Sequence, residues 1–280
     1  MKLTEIIFRP NRRIYHLDLT PEEIAPTVFL TGDPERIDQF EQLLHKVEIR
    51  RHNREYRSVT GIRNGHRVTF LSTGIGTDNI EIATIEMDAL ARQRRCWQTY
   101  QWIRLGTSGA IHADIHVGQS VLSTYAMGLD NLHCFYPPTQ YKDEWIIESQ
   151  LKSYLTEKGI SLWPYVIKAS PTLSQRLRSS ANIEGITVCA PGFFAPQGRA
   201  LPINHPFQNL PDQLTNFECN GLRILNFEME VSALYLMART LGHHAAVVDI
   251  IIANRANGNT LLDYQPYLME IAAQILDTLD

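Results

Sequence analysis

The chain has 280 residues, of which 44% are hydrophobic and 20% charged, and its formal net charge at pH 7 is −4. This slight acidity excludes a general electrostatic attraction to nucleic acid or anionic lipid, so phosphate recognition must come from a few local Arg, Lys or backbone N–H groups. The most apolar stretch, 245–253, is about nine residues long, whereas a membrane span needs about 20. The cysteines form no C-x-x-C pair and stand at Cys96, Cys134, Cys189 and Cys219. We therefore expect a cytoplasmic protein with free thiols and no membrane or nucleic-acid partner.

Short β-branched runs alternate along the chain with longer amphipathic runs. The short runs predict strands at 27–30, 67–71, 102–105, 120–124, 165–168, 186–189 and 245–252. The amphipathic runs predict helices at 34–44, 79–94, 143–158, 171–180, 229–241 and 266–279. Asp33 and Pro34 are placed to begin a helix, Gly159 and Gly242 to end one, and the Pro-rich stretch 202–211 reads as a surface loop. This alternation favours a mostly parallel or mixed sheet covered by helices, in one domain over residues 1–280.

Chemically rich segments follow several of the predicted strands. Ligands of α/β proteins collect beyond the carboxyl ends of strands, so these segments are the first candidates for a site. They are Gly32-Asp33-Pro34-Glu35-Arg36, Ser72-Thr73-Gly74-Ile75-Gly76-Thr77, Arg104-Leu105-Gly106-Thr107-Ser108-Gly109, Pro191-Gly192-Phe193-Phe194 and Asn254-Arg255.

The first and third of these segments predict an anion pocket. Gly32 lets the backbone approach a ligand, and Arg36 follows in the first helical turn. A solvated arginine at an ordinary strand–helix joint is the alternative. Arg104 favours the pocket, because an arginine in an otherwise apolar strand needs an anionic partner. The turn at 74–76 lacks the third glycine of a dinucleotide fingerprint, and we interpret it as a tight turn that brings backbone N–H groups to a small phosphate.

Two further segments suggest recognition of a nucleoside. Glu228-Met229-Glu230 opens an apolar helix with two carboxylates that can accept hydrogen bonds from ribose hydroxyls; helix capping is the alternative. Gln197-Gly198-Arg199 carries the donors and acceptor that match a uracil edge; a polar loop is the alternative.

Two other patterns favour plain structural interpretations. His112 and His116 have a spacing that suits a metal on a helix, but the residues around them read as a turn into a strand. The arginines at 92, 94 and 95, beside aromatic residues at 97, 100 and 102, read as a solvated helix end followed by core residues.

Taken together and in order, seven segments resemble the nucleoside phosphorylase family, with the hexameric bacterial uridine phosphorylases at its centre. The resemblance runs from about residue 16 to about residue 256. It rests on Gly32-Asp33-Pro34-x-Arg36, Arg54-Glu55, Ser72-Thr73-Gly74-Ile75-Gly76, Arg104-Leu105-Gly106-Thr107-Ser108-Gly109-Ala110-Ile111, Phe193-x-x-x-Gln197-x-Arg199, Glu228-Met229-Glu230 and Asn254-Arg255. It implies a three-layer α/β sandwich with a central mixed, twisted sheet.

The resemblance also implies roles for individual residues. Phosphate would be bound by Gly32, Arg36, Arg104 and Thr107, and by Arg54 of a neighbouring subunit. The ribose would be bound by Met229, Glu230 and, across the subunit interface, His16, and the base by Phe193, Gln197 and Arg199. Glu55 and Ser72 match positions that hold a monovalent cation, such as potassium, in some members. The residues expected to carry the chemistry are Arg104, Glu230 and Arg199.

The expected reaction is reversible phosphorolysis: uridine plus phosphate gives uracil plus ribose 1-phosphate, which makes the protein a pentosyltransferase. Phosphate is the co-substrate, no organic cofactor is expected, and a homodimer or a homohexamer built as a trimer of dimers is implied. Asn254 stands where purine-cleaving relatives carry an Asp, so a pyrimidine is favoured. A purine nucleoside phosphorylase, a hydrolytic nucleosidase and a silent nucleoside-binding protein stay open, as does the choice among uridine, thymidine and deoxyuridine. Departures from the family pattern stand at Thr77-Asp78, at Ala190-Pro191-Gly192 and over 94–101.

Overall fold

Eleven strands form one mixed sheet in the computed structural model, which describes residues 5–94 and 99–279. The strands are β1 Thr27–Thr31, β2 Lys46–Asn53, β3 Tyr56–Arg63, β4 His66–Ser72, β5 Gln101–Ala110, β6 Ser120–Gly128, β7 Tyr165–Lys168, β8 Ile183–Cys189, β9 Glu218–Cys219, β10 Leu222–Glu228 and β11 His244–Asn254. The α-helices are α1 Arg36–Glu41, α2 Thr77–Arg92, α3 Lys142–Glu157, α4 Pro171–Leu177, α5 Leu210–Leu214, α6 Val231–Leu241 and α7 Gln265–Leu276, and short 3-10 turns occupy Leu132–Cys134, Arg178–Ser180 and Ala195–Gln197.

Part of the sheet closes on itself. Its order is β2-β3-β4-β1-β5-β11-β6-β8-β10-β9, with β7 paired to β6. β1 runs parallel to β4 and β5, and β5 runs parallel to β11. The end of β10 returns to pair antiparallel with β5, so that β5, β11, β6, β8 and β10 make a ring. This closure brings the end of β10 to the end of β5, although the two strands are far apart in the chain.

The central strands are apolar on both faces because helices cover both faces. Val28 of β1 packs in the cluster formed with α2 and α6, whereas its neighbour Phe29 packs in the cluster formed with α1, α4 and α7. A third cluster joins α3 and α5 to β8 and β10. The predicted mixed sheet between helical layers is confirmed. The apolar run in β11 belongs to the middle of this sheet, and no helix among the described residues has the length and hydropathy needed to cross a bilayer.

The predicted elements are all present, with most bounds shifted by a few residues, and two glycines end helices as expected. Gly159 and Gly242 follow α3 and α6 with φ of 71° and 81°, the left-handed region that glycine adopts without strain. Helix α1 begins only at Arg36, and Asp33 instead accepts a hydrogen bond from the Glu35 N–H in the preceding turn, at 2.8 Å. The described cysteines are free thiols. Arg95, Cys96 and Trp97 of the predicted basic and aromatic stretch lie outside the described residues.

Five elements had no counterpart in the sequence prediction: β2, β3, β9, β10 and α5. Strand β2 is a charged edge strand whose residues alternate between exposed and half-buried, so its apolar signal is weak. A usable signal existed for β3, since Asn64 and Gly65, both with positive φ, make the two-residue turn typical of a hairpin. The loop prediction over 202–211 is wrong at its end, because Pro211 lies in the first turn of α5, where no N–H is needed.

Candidate active site

The first glycine-containing segments meet where β1 and β4 end side by side, next to Arg104 in the first half of β5. Thr31 pairs with Ser72 across β1 and β4, and Leu30 pairs with Arg104 across β1 and β5. The N–H of Gly74 donates to the carbonyl of Gly32 at 3.0 Å. A Cβ atom on Gly32 would lie 3.7 Å from Nη2 of Arg104, so the absence of a side chain there keeps the guanidinium approachable.

Arg104 is the charged centre of this region. Side chains alternate along a strand, so Arg104 lies on the same face of β5 as Trp102 and Gly106. Its guanidinium extends over Gly106, where an added Cβ would lie 2.2 Å from Nη1. Nη2 donates to the Glu230 carboxylate, whereas Nε and Nη1 are buried without an acceptor among the described residues. Burial lowers the pKa of Arg104, but the carboxylates of Glu230, Glu228 and Asp249 outweigh it and raise that pKa.

The two carboxylates at the start of α6, Glu228 and Glu230, have different hydrogen-bond partners. Glu228 accepts hydrogen bonds from the N–H groups of Glu230 and Val231 at 2.7 and 3.0 Å, so for Glu228 the capping alternative is right. Glu230 instead faces the strand ends, where it receives Arg104 on one oxygen and the N–H of Gly76 on the other, at 2.7 Å. Burial, together with the charges of Glu230 and Asp249, raises the pKa of Glu228 well above its usual value.

Arg36 supplies a second buried guanidinium. Nη1 donates to the hydroxyl of Thr31 and Nη2 to the hydroxyl of Tyr264, both at 3.1 Å. The guanidinium carbon lies 5.1 Å from the centre of the Tyr264 ring. Nε is buried and has no acceptor among the described residues. The unpartnered N–H groups of Arg36 and Arg104 are therefore donors that a bound anion can satisfy.

The segments predicted to bind the base form a second group. Arg199 donates from Nε to the carbonyl of Phe193 at 2.8 Å, and its guanidinium carbon lies 4.0 Å from the centre of that ring. Gln197 is buried in the 3-10 turn, and its carbonyl accepts a hydrogen bond from Arg255. Burial lowers the pKa of both Arg199 and Arg255. Met229 is half-buried beside Glu230 in the chain.

The segments that carry His16 and Arg54 lie near each other. Asn53, next to Arg54, donates to the carbonyl of His16 at 2.7 Å, and the Arg54 guanidinium carbon lies 5.9 Å from the ring centre of Tyr15. Arg54 is exposed in the turn between β2 and β3, with a φ of 57°. Among the described residues of a single chain, no hydrogen bond or ion pair joins this pair to Arg104 or Glu230.

The remaining predicted site residues have local partners. Ser72 donates from its hydroxyl to the carbonyl of Glu55 at 2.5 Å, so the two residues predicted to share a cation are in contact. Thr107 is half-buried on β5, pointing to the face opposite that of Arg104 and Gly106. The binding of a cation at Glu55 and of phosphate at Thr107 both stay predictions.

The turn around His112 is held by a side chain from the end of β11. The turn predicted around His112 is confirmed, and Nε2 of that histidine bonds the carbonyl of Ile224 at 2.8 Å. The side-chain amide of Asn254 donates to the carbonyls of His112 and Ile115, at 2.7 and 2.6 Å, so it holds this turn.

Two residues that sequence reasoning missed complete the region. Asp249 approaches Arg104 from β11, and Tyr264 meets Arg36 just before α7. Arg255, which the sequence analysis named without a role, joins the base segment. Asp249 had a usable signal, since it is a lone charge in an apolar strand, the same pattern that marked Arg104. Nothing in the local pattern marked Tyr264.

Comparison with known proteins shows the family and agrees with the fold. Residues 26–279 match the family model described as the phosphorylase superfamily. A uridine phosphorylase of Thermococcus kodakarensis is 30% identical over 86% of this chain and 77% of its own length, and a guanosine phosphorylase of Halorubrum lacusprofundi is 30% identical over 87% and 85%. The fold matches that of a Trypanosoma brucei nucleoside phosphorylase with a TM-score of 0.85 at 23% identity, over 98% of both chains. The chain belongs to the phosphorylase superfamily.

Proposed function

We propose that this protein catalyses the reversible phosphorolysis of uridine, in which inorganic phosphate displaces uracil and leaves ribose 1-phosphate. The observation that carries the proposal is the presence of two buried guanidiniums, Arg36 and Arg104, which both have N–H groups without an acceptor among the described residues. Nη2 of Arg104 also lies beside Gly32 and donates to the carboxylate of Glu230. A pocket of this kind suits an anionic nucleophile next to a sugar. The resemblance of this chain to the uridine phosphorylase of Thermococcus kodakarensis supports the choice of substrate.

The chemistry follows from where charge develops. A phosphate oxygen forms a bond to C1′ of the ribose while the bond from C1′ to the base nitrogen breaks, and the electron pair passes to the uracil ring. The departing uracil anion then takes up a proton. The arginines would hold the attacking phosphate, and the carboxylate of Glu230 would lie near the positive charge that grows on the sugar. Arg199, with the amide of Gln197, would stabilise the negative charge that grows on the base.

Two competing reactions make different demands on the site. A hydrolytic nucleosidase activates water instead of phosphate. The free N–H groups of the two buried guanidiniums would then have no anion to bind. A purine phosphorylase would protonate the departing ring. Asn254, which stands where the resemblance puts an aspartate for that purpose, spends its amide on two backbone carbonyls. The guanosine phosphorylase relative makes the purine reaction the second candidate.

The quaternary structure belongs to the same proposal. We infer a homodimer, as a free dimer or within a trimer of dimers, in which His16 and Arg54 of one subunit complete the site of the other. The lack of a hydrogen bond or ion pair from either residue to Arg104 or Glu230, among the described residues of one chain, supports this arrangement. A monovalent cation near Glu55 and Ser72 would lie close to Gly74, since a Cβ there would be 3.1 Å from Cγ of Glu55.

The test is a nucleoside panel assayed for release of free base, with and without phosphate. We expect cleavage of uridine that depends on phosphate, and a loss of turnover of about 10²–10³-fold in Arg104→Ala, the scale for losing one preorganised electrostatic group. Arg223→Ala, which removes a half-exposed arginine on β10, is the matched control and should behave as wild type. Equal rates without phosphate would refute phosphorolysis, and a preference for guanosine or inosine would establish the purine reaction instead.

A further inference from the structure

A carboxylate without a hydrogen-bond donor lies in the middle of the sheet. Asp249 is fully buried in β11, where its neighbours Val248 and Ile250 belong to the hydrophobic core. Neither of its side-chain oxygens has a hydrogen-bond partner among the described residues. Burying a charge without a partner is costly, so such a residue needs an explanation.

The sheet register explains its position. Asp249 pairs with Gly106 of β5, and the guanidinium of Arg104 reaches over that glycine. A Cβ atom on Gly106 would lie 2.2 Å from both Nη1 of Arg104 and Oδ1 of Asp249. These two atoms are 3.9 Å apart, too far for a hydrogen bond but close enough for strong attraction in a buried region. Arg104 thus turns Nη2 to Glu230 and its unpartnered Nη1 towards Asp249.

The charges that face Asp249 come from several elements. Arg104 on β5 and Arg36 on α1 favour its ionised form, whereas Glu230, after β10, opposes it. Its charge is also felt by Glu228 at the end of β10 and by Tyr235 on α6. Burial outweighs the two arginines and raises the pKa of Asp249 to about 6. The carboxylate therefore changes charge between mildly acidic and neutral pH.

We propose that Asp249 is a positioning residue that controls the anion affinity of Arg104: ionised, it attracts Nη1 and repels an incoming oxyanion, and protonated, it releases Nη1 to that oxyanion. This inference rests on the proposed function, because it takes phosphate to be the anion that Arg104 binds. It goes beyond that function by coupling phosphate binding to the uptake of a proton.

The coupling has a definite sign. An anion bound at Arg104 places negative charge near Asp249 and draws the arginine away, so it favours the protonated carboxyl. Linkage is reciprocal, so protonation of Asp249 strengthens anion binding by the same factor. Anion affinity should therefore rise as the pH falls through the pKa of Asp249 and level off below it.

Sulfate is the probe, because phosphate itself changes charge near neutral pH whereas sulfate stays a dianion. Calorimetric titration of the wild type should give a sulfate affinity about tenfold higher at pH 5 than at pH 8, which corresponds to about one unit of pKa shift on binding. Asp249→Asn, which removes the charge at nearly constant volume, should lose this tenfold difference and bind sulfate at pH 8 about as tightly as the wild type does at pH 5. Titrations in buffers of different ionisation enthalpy should show proton uptake near pH 6.5 only in the wild type.

The controls separate this inference from the proposed function. Asp277→Asn removes an exposed carboxylate and should keep the wild-type pH profile, whereas Arg104→Ala should lose sulfate binding at every pH. A wild-type pH profile in Asp249→Asn would overturn the inference, as would a folded Asp249→Asn protein that binds no sulfate. Should that variant fail to fold, carboxyl NMR of the wild type decides, since sulfate must raise the pKa of Asp249. If the sulfate experiments overturn the role of Asp249 but uridine cleavage still depends on phosphate, the proposed function stands. Wild type that binds no sulfate and cleaves uridine without phosphate overturns both.

Discussion

Two charged side chains, Arg104 and Asp249, share the space above Gly106. The glycine at this position therefore allows the charged centre of the site to form. Nη1 of Arg104 and Oδ1 of Asp249 each lie 2.2 Å from the position that a Cβ of residue 106 would take. The φ of Gly106 is not in the left-handed region, so the backbone conformation does not require glycine there. Glycine is required because a side chain would not fit. A side chain at this position must displace one of the two charged groups.

Gly106→Ala should therefore weaken the site and the fold together. We expect a loss of phosphorolysis of about 10²–10³-fold, because Arg104 moves away from Glu230, and a fall in the free energy of unfolding of about 1–3 kcal/mol from overpacking. The measurements are kcat/KM for uridine at fixed phosphate and denaturant unfolding. Gly109→Ala on the same strand is the control, since its Cβ would meet Arg255 at an ordinary 3.6 Å. Near-normal activity in Gly106→Ala would show that the position of Arg104 is not critical.

At the scale of elements, helix α2 connects two parts of the candidate site. Its N-terminal turn presents the N–H of Gly76 to Glu230, at 2.7 Å. One face of the helix packs Ile80, Ala83 and Met87 against the core cluster shared with α6. From its C-terminal half, Glu86 accepts hydrogen bonds from the backbone of His16 and Leu17 and from the His16 ring, at 2.7–3.0 Å. A single rigid element therefore positions both the Glu230 carboxylate and the segment that carries His16.

Glu86→Gln should loosen the N-terminal segment without unfolding the helix. The amide keeps one acceptor oxygen where the carboxylate offered two, and hydrogen bonds to a charged acceptor contribute about 1.5–3 kcal/mol. We expect the backbone amides of His16 and Leu17 to exchange with solvent about 10–100-fold faster. Hydrogen exchange followed by NMR measures this change. Glu81→Gln on the same helix is the matched control, since Glu81 bonds Tyr136 instead. Unchanged protection at His16 and Leu17 would show that other contacts hold the segment.

At the scale of the whole molecule, the residues implied in one active site fall into two groups with no hydrogen bond or ion pair between them among the described residues of one chain. Arg104 and Glu230 are joined directly, whereas His16 and Arg54 lie near each other at the β2–β3 turn. In a two-fold symmetric dimer, each subunit can lend such a group to its partner. This lack of direct contacts is the structural reason to test for a shared site.

Complementation between two inactive variants tests the shared site. Arg54→Ala and Glu230→Ala should each be inactive, and co-refolding should form about half mixed dimers. Each mixed dimer holds one site with both residues intact and one with neither, so about a quarter of the sites should recover. Uridine phosphorolysis is the assay, and mass measurement verifies that mixed dimers formed. Activity no greater than the sum of the two variants would place Arg54 within its own subunit's site or outside the site.

The elements that could be predicted from the sequence are those whose pattern is local. Runs such as 27–30 and 245–252 predicted central strands, because strands covered on both faces are apolar throughout. Gly242 ends its helix as predicted, because the left-handed conformation that ends a helix depends only on the residue at that position. The charged edge strand β2 escaped prediction, since its pairing with β3 depends on residues that its own pattern does not reveal. An arginine at 104 within an apolar strand pointed to an anion, but not to which one.

The contacts among the site residues could not be predicted, because they depend on how distant segments of the chain pair. Arg104 meets Glu230 across 126 residues of chain because β10 returns to β5, and this closure is a property of the whole sheet. The same closure separated the roles of Glu228 and Glu230, which the sequence left open between capping and ligand binding. Asp249 faces Arg104 through the register of β11 against β5, and a shift of one residue would turn that carboxylate to the opposite face. Contacts of this kind depend on pairing between distant strands. Local sequence patterns can therefore indicate the candidate residues, but their neighbours are known only from the fold.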